Sequence, residues 1–357
     1  MSQKKFFAIG IMSGTSLDGL DIAYCSYIFK KNKWSFKFYE GETILYDELW
    51  KSKLSIAHTL PGAELMKLHS EYGKWIGKCC QAFIKRNGIT KLDLIGSHGH
   101  TVFHQPQNNF TFQLGDGNAI YSTVGVPVIF DFRSLDVQLG GQGAPLIPVG
   151  DHYLFSEYDI CLNLGGIANL SMEHKKKRIA FDVCFANMGL NFLMNTNGKN
   201  FDDGGALAKS GKVDGLLLKK LNSAYASFRQ SRPSLAREQF EQIFLPILID
   251  TQSSLEDRLH SFSESIVCQI RDAIGEKKKV KKILVTGGGV KNKFLMARLK
   301  DVLNPKTKII IPNDQLIDFK EAIVFGLLGI LRKQNQKNVL KSVTHSRKNS
   351  VSGLIIG

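Results

Sequence analysis

Two stretches of the chain alternate apolar and polar positions on either side of a glycine-rich polar tip, the pattern of a β-hairpin. The first spans Phe6 to Phe29: an apolar strand, the turn Ser13-Gly14-Thr15-Ser16-Leu17-Asp18-Gly19, and an alternating strand from Leu20 to Ile28. In the second, Asp159 to Met172, Ile160-Cys161-Leu162-Asn163-Leu164 meets Gly165-Gly166 and continues as Ile167-Ala168-Asn169-Leu170. The shared design predicts a duplicated architecture in which each hairpin opens one lobe. Helical spacing of Leu65, Leu68, Tyr72, Trp75, Ile76, Cys79 and Phe83, stopped by Asn87-Gly88, predicts a core helix between them. Leu259, Phe262, Ile266, Ile270 and Ile274, closed by Gly275, predict its counterpart in the second half.

Short apolar runs at Lys91–His98, Val126–Phe132 and Ile283–Thr286 read as strands, the first entering His98-Gly99-His100-Thr101 and the last Gly287-Gly288-Gly289. A strand running into glycines and then a helix, here Lys293 to Leu299, is a common approach for phosphate, because glycine lets ligand and backbone come close. Leu139-Gly140-Gly141-Gln142-Gly143-Ala144-Pro145 reads as a candidate hinge near a lobe boundary at 135–155. The division expected is 1–140 for the first lobe and 141–334 for the second. The last helix (Lys320 to Arg332) and the tail, 335–357, are free to return to the first.

Length and composition narrow the class. A chain of 357 residues with 43% hydrophobic and 22% charged residues is globular and long enough for two cores. The lack of an apolar run near the roughly 20 residues that a membrane span needs argues against a membrane protein. The opening Met1-Ser2-Gln3-Lys4-Lys5 followed by a strand-length apolar stretch argues against an export signal. Six cysteines without paired metal-ligand spacing read as reduced cytoplasmic thiols. The net charge of +15 raises a nucleic-acid partner. The basic runs Lys30-Lys31-Asn32-Lys33, Lys175-Lys176-Lys177-Arg178 and Lys277–Lys282 instead sit at turns, without the interleaved aromatics of a stacking groove, so no nucleic acid is expected.

The tip Gly14-Thr15-Ser16-Leu17-Asp18-Gly19 offers hydroxyls and successive backbone N–H groups, which can bind phosphate oxygens; a plain hairpin turn reads about as well. It lacks the lysine of a Walker A loop. Asp18 and Asp21 stand beside it, where a Mg-ATP complex needs oxygen ligands, directly or through water.

These residues resemble a known family. Ile11-Met12-Ser13-Gly14-Thr15-Ser16-Leu17-Asp18-Gly19-Leu20-Asp21 is similar to the opening motif of the anhydro-N-acetylmuramic acid kinases, in the sugar-kinase, actin and heat-shock-chaperone ATPase superfamily. The match continues in family order through Gly96–His104, Gln113–Gly117, Asp131-Phe132-Arg133, Gly140–Leu146, Asn163–Asn169, Phe181-Asp182 with Asn187, Asp203-Gly204-Gly205, Thr286–Gly289 and Glu321-Ala322. The resemblance implies an α/β fold of two ribonuclease-H-like lobes, of the actin and hexokinase type, around a nucleotide cleft. It implies a cytoplasmic homodimer that takes ATP, magnesium and anhydro-N-acetylmuramic acid. Water opens the 1,6-anhydro ring while O6 receives the γ-phosphoryl group, giving N-acetylmuramic acid 6-phosphate in cell-wall recycling.

Residue by residue, Asp182 matches the family's base. The tip from Gly14 to Asp21, with Gly165, Gly166, Gly287, Gly288 and Gly289, matches its nucleotide contacts. His98, Thr101, Arg133 and Glu321 fall to the sugar, with Arg133 a fork-shaped partner for a lactyl carboxylate or the transferring phosphate. Glu321, at the start of the predicted last helix, reads equally as a helix N-terminal charge. His98, His100 and His104 raise a zinc cluster, set aside for want of an acidic or cysteine ligand at compatible spacing. Two departures stand out. Val183-Cys184-Phe185-Ala186 replaces the family's Thr-Gly-Pro run after the aspartate, and Arg232-Pro233-Ser234-Leu235-Ala236-Arg237-Glu238 replaces its Lys-x-Thr-Gly-Arg-Glu. Cys184 is read as a buried small hydrophobe rather than a nucleophile. The rival classes are a non-catalytic or assembly-type ATP-binding protein and a two-metal nuclease.

Overall fold

Strand β1 (Lys4–Ser13) turns at the glycine tip into β2 (Gly19–Lys30), and β2 turns into β3 (Lys33–Leu45), an antiparallel meander. Lys31 and Asn32 both take positive φ, 50° and 60°, the geometry of a two-residue turn matched to strand twist. This basic run is therefore a hairpin turn, and it opens β3, for which the sequence pattern predicts no element. After the helix Gly62–Arg86 the chain enters β4 (Leu94–Ser97), parallel to β1. A separate hairpin, β5 (His100–Gln105) and β6 (Phe110–Leu114), precedes β7 (Val128–Phe130), parallel to β4.

The same plan follows again. Strands β8 (Ile160–Leu164), β9 (Ile167–His174) and β10 (Lys177–Phe185) form a second meander. Its β9–β10 turn carries Lys175 and Lys176 at φ 49° and 62°. Strands β11 (Lys282–Thr286) and β12 (Lys308–Ile310) add in parallel. Counted by appearance, both sheets read 3-2-1-4-5: β3-β2-β1-β4-β7 and β10-β9-β8-β11-β12. Each is a ribonuclease-H-like sheet. The first is extended by β13 (Leu354–Ile356), antiparallel to β7, so the tail returns to the first sheet.

This computed structural model describes residues 3–14, 17–226, 228, 234–275 and 282–357. The chain forms two compact units, Met1–Ser156 with Phe319–Gly357, and Glu157–Asp318. In the first, the helix Gly62–Arg86 buries Leu68, Tyr72, Ile76 and Phe83 in one core with Ile9, Ile11, Leu20 and Ile22, each burial contributing about 2 kcal/mol. On a second face the helix Asp314–Lys333 lies so close that a Cβ at Gly10 would run into the Ala322 carbonyl and one at Gly96 into that of Phe325. Tyr27 donates its hydroxyl to Ile323 O at 2.6 Å in the same contact. In the second unit, Leu259, Phe262, Ile266 and Ile270 of the helix Leu255–Ile274 share a core with Leu162, Leu164, Leu170 and Val285.

The loop Gly140–Gly143, read as a hinge, is tied down within the first unit. Gln142 N–H donates to Thr344 O at 2.7 Å, and Arg347 N–H to Leu139 O at 3.1 Å. The chain passes between the units at 156/157 and 318/319.

Candidate active site

In the first unit β4 delivers His98 to a position 5% exposed. Its Nδ1 lies 2.8 Å from Gly99 O, a carbonyl that only accepts, so Nδ1 carries the proton and Nε2 a lone pair. That lone pair receives Arg133, with Nε at 3.0 Å and Nη2 at 2.8 Å, while Arg133 Nη1 donates to Gly143 O at 2.7 Å. Both acceptors are neutral. They aim the guanidinium and leave its charge available to an anion. Burial, then the Arg133 charge, holds His98 well below the ordinary histidine range and keeps it in the accepting form. Arg133 itself is pushed down to about 10 by burial, against the nearby negative charges of Glu321 and Asp136.

Glu321 is not at a helix start. The helix begins at Asp314, where Asn313 Oδ1 accepts from Leu316 N–H at 3.1 Å, so Glu321 lies two turns in and a capping role is removed. Its side chain keeps solvent contact. The protein crowding it raises its carboxyl, Arg133 and Lys320 oppose that, and the negative charge of Asp21 adds to it. Asp21 accepts from Thr43 Oγ1 at 2.6 Å. Two mutually repelling carboxylates, with exposed Asp18 on the same tip, fit the one or two carboxylates that magnesium uses beside substrate phosphates. Among the described residues no three acids, histidines or cysteines group as a ready metal cage.

Of the tip expected to hold nucleotide, Thr15 and Ser16 lie outside the described residues. Leu17 N–H closes the turn on Gly14 O at 3.4 Å, and Leu17 packs partly against the core. Leu20 is a correction: it is 0% exposed among Ile9, Ile11 and Ile22, because alternation along β2 turns it away from the tip's polar face. Gly19 is glycine for packing, since a Cβ there would stand 2.7 Å from Ile44 O. The histidines part ways. His100 Nδ1 meets Ser13 Oγ at 3.2 Å and His104 Nδ1 meets Thr111 Oγ1 at 3.2 Å. Thr101 is partly exposed on β5, opposite Gln113.

In the second unit, register places Thr286, Asn163, Asn169 and Asp182 in one row across β11, β8, β9 and β10. Asn163 alternates with core residues Leu162 and Leu164, so the row lies on the face away from that core. At its end the β9–β10 register shifts between Asp182 and Cys184, a bulge at Val183 that ends the row at the aspartate. Asp182 Oδ2 accepts from Leu235 N–H at 2.9 Å and Ser234 Oγ at 3.5 Å. Burial raises its carboxyl against those two donors. Gly165 and Gly166 are clamped to the next helix: Ala186 N–H donates to Gly166 O at 2.8 Å and Asn187 N–H to Gly165 O at 3.1 Å. Asn187 Nδ2 also donates to Leu164 O at 3.1 Å.

The three glycines after β11 do different things. Gly287, at φ 87°, and Gly289 press on β8, where Cβ atoms would come within 2.8 Å and 2.7 Å of Leu164. A Cβ on exposed Gly288 would meet only Asn187 Nδ2, at 3.9 Å, which leaves backbone open to a ligand. The alternation along β8 and β9 is the signal in the sequence for the asparagine row, to which the motif Asn163–Asn169 by itself assigns no role.

The family profile described as anhydro-N-acetylmuramic acid kinase matches residues 6–357. The anhydro-N-acetylmuramic acid kinase of Francisella tularensis subsp. novicida is 32% identical, covering 99% of this chain and 99% of its own length. That of Pasteurella multocida is 32% identical over 97% and 96%, and that of Gloeobacter violaceus 33% over 94% and 95%. The chain belongs to the anhydro-N-acetylmuramic acid kinase family.

For such a kinase, the departure after Asp182 is a core substitution. Cys184 and Phe185 are 0% exposed, and Phe185 stacks edge-on with Phe240 and Phe244 at 5.3 and 5.0 Å. Burial, and then the Asp182 charge, pushes the Cys184 thiol up, away from nucleophilic thiolate. In the second departure, Arg232 and Pro233 lie outside the described residues, Leu235 holds Asp182, and Arg237 pairs with Glu241 at 2.7 Å. Among the described residues no helix is long and apolar enough to cross a membrane.

Proposed function

We propose that this kinase uses Asp182 as the base that activates water against the anomeric carbon of anhydro-N-acetylmuramic acid. Water oxygen bonds to C1, the C1–O6 bond breaks, O6 takes the γ-phosphoryl group of ATP, and the proton of water passes to Asp182. The products are N-acetylmuramic acid 6-phosphate and ADP. The supporting observation is a partly exposed, raised carboxylate at the end of a polar row, one oxygen of which is held by two hydrogen-bond donors.

The remaining residues bind and orient. Open backbone at Gly166 and Gly288, with the tip Gly14–Gly19, donates N–H groups to the nucleotide phosphates. Asp18 and Asp21, directly or through water, would hold magnesium near Glu321, where the ion would neutralise phosphate charge. Arg133, aimed by His98, receives the lactyl carboxylate, and Thr101 contacts sugar hydroxyls. Six free thiols suit a reducing cytoplasm. The homodimer rests on the resemblance alone, and sedimentation velocity checks it.

The test is ATP turnover with and without the anhydro-sugar, run in ¹⁸O-water. ADP forming only with sugar, and a product that carries solvent ¹⁸O on C1 and none in its phosphate group, support the reading. Sugar-independent ATP hydrolysis with label in the phosphate overturns it.

A further inference from the structure

Arg133 is only as well placed as the Gly143 carbonyl that holds its Nη1, and that carbonyl sits on a loop rather than on a strand. Gly143 N–H donates to Asp136 Oδ2 at 2.8 Å. Asp136 is 0% exposed, and its other oxygen accepts from Thr344 Oγ1 at 2.8 Å. Thr344, also 0% exposed, closes the ring of contacts by accepting Gln142 N–H at its own carbonyl, 2.7 Å away. Gly141 has no room for a side chain, because a Cβ there would run into Asp136 Oδ2 and stand 2.6 Å from Ser346 Cβ. The exposed Arg347 side chain reaches Leu139 O at 3.3 Å and Gln138 O at 3.4 Å.

The tail also braces Arg133 from its other side. Ser352 Oγ donates to Phe132 O at 2.8 Å, one residue before the arginine. Ser352 N–H is held in turn by Asn338 Oδ1 at 2.7 Å, and Arg332 Nε donates to Gly353 O at 2.7 Å. Some 200 residues of sequence separate these partners. A buried carboxylate with one hydroxyl and one amide as donors is an expensive way to shape a loop, and removing either donor leaves it under-satisfied.

We infer that the segment 344–352 is a positioning device for substrate recognition: through Thr344 and Asp136 it fixes the Gly143 carbonyl, and through Ser352 the Phe132 carbonyl, that together aim Arg133 at the carboxylate of the sugar. The inference rests on the reading of Arg133 as the carboxylate partner. Thr344 touches no substrate; it acts through Asp136 and Gly143. Its loss misaims the guanidinium and costs affinity for the carboxylated sugar, while the base and the phosphate contacts are untouched.

The experiment compares wild type, Thr344→Val, Thr344→Ser and Arg133→Met on anhydro-N-acetylmuramic acid and on the same anhydro-sugar without its lactyl ether. Thr344→Val is expected to raise KM for the carboxylated sugar about tenfold with kcat within about twofold, and Thr344→Ser to restore it. KM for ATP and for the sugar without lactyl ether stays unchanged. The ¹⁵N signal of His98 Nε2, which reports the hydrogen bonds from Arg133, shifts in Thr344→Val and returns in Thr344→Ser. An unshifted signal, or an unchanged KM beside a raised KM in Arg133→Met, overturns the positioning role. An unchanged KM in Arg133→Met overturns the carboxylate reading instead, and the ¹⁵N signal then decides the positioning claim alone. Should Thr344→Val not fold, exposed Arg347→Met carries the same split at about twofold, and its absence there overturns the inference.

Discussion

The two sheets share one strand order and use their glycines for opposite ends. In the first, Gly10 and Gly96 lie in mid-strand, where the helix Asp314–Lys333 presses backbone against backbone. In the second, the glycines stand past the strand ends, and Gly288 faces open space. The polar chemistry divides too. The first unit gathers charge, with Arg133, Glu321 and Asp21 feeling one another. The second offers exposed backbone at Gly166 and Gly288, a row of amides and a single raised carboxylate. Duplicated topology therefore fixes where strands end, and the side chains at those ends decide what each copy does.

The sharpest way to break this contrast is to fill one glycine of each kind. Gly10→Ala must push the helix off the sheet and should cost at least about 3 kcal/mol, read as a lost or greatly lowered urea midpoint. Gly288→Val should leave that midpoint unchanged and weaken ATP binding about tenfold by calorimetry. Equal stability losses in both would erase the distinction.

Acid should separate the units next. Below pH 6.5 the unfolded chain protonates His98 and His100. In the folded chain burial holds His98 well below that value and His100 down to about 4. The unfolded state then binds more protons, so stability falls as pH drops from 7 to 5, by about 2 kcal/mol at pH 5 for His100 alone. Asp182 runs the other way, since its raised carboxyl takes up a proton more readily folded than unfolded. Hydrogen exchange at pH 5 should show β1 and β4 losing protection before β8 and β10; the reverse order contradicts this.

The smallest effect expected is at Cys184. Cys184→Ala removes a buried sulfur and should cost about 1 kcal/mol while kcat stays within about twofold. A collapse in kcat would reopen the thiol as a catalytic group.

Local pattern made much of this legible. The tips at 14–19 and 165–166, the helix over 62–86 and the strand into Gly287 are all written in periodicity and glycine placement. The strand β3 hid because its burial alternates weakly and its entry turn is basic, Lys31-Asn32. The helix carrying Glu321 starts six residues before the predicted Lys320 because Asn313 caps it at Asp314, while its buried residues begin only at Lys320. Nothing local joins Arg133 to His98 or Asp136 to Thr344, contacts that only the folded register creates. Leu20 was misassigned because a motif does not say which of its alternating residues face inward.

The most direct test of the central claim is the paired measurement of turnover and affinity in Asp182→Asn, which keeps size and polarity but cannot take the proton. The account predicts kcat lower by about 10²–10⁴, with ATP and anhydro-sugar dissociation constants within about threefold of wild type. It also predicts that the acid limb of the wild-type kcat/KM profile lies above the ordinary aspartate range, as burial of Asp182 requires. Wild-type turnover in Asp182→Asn would contradict the account.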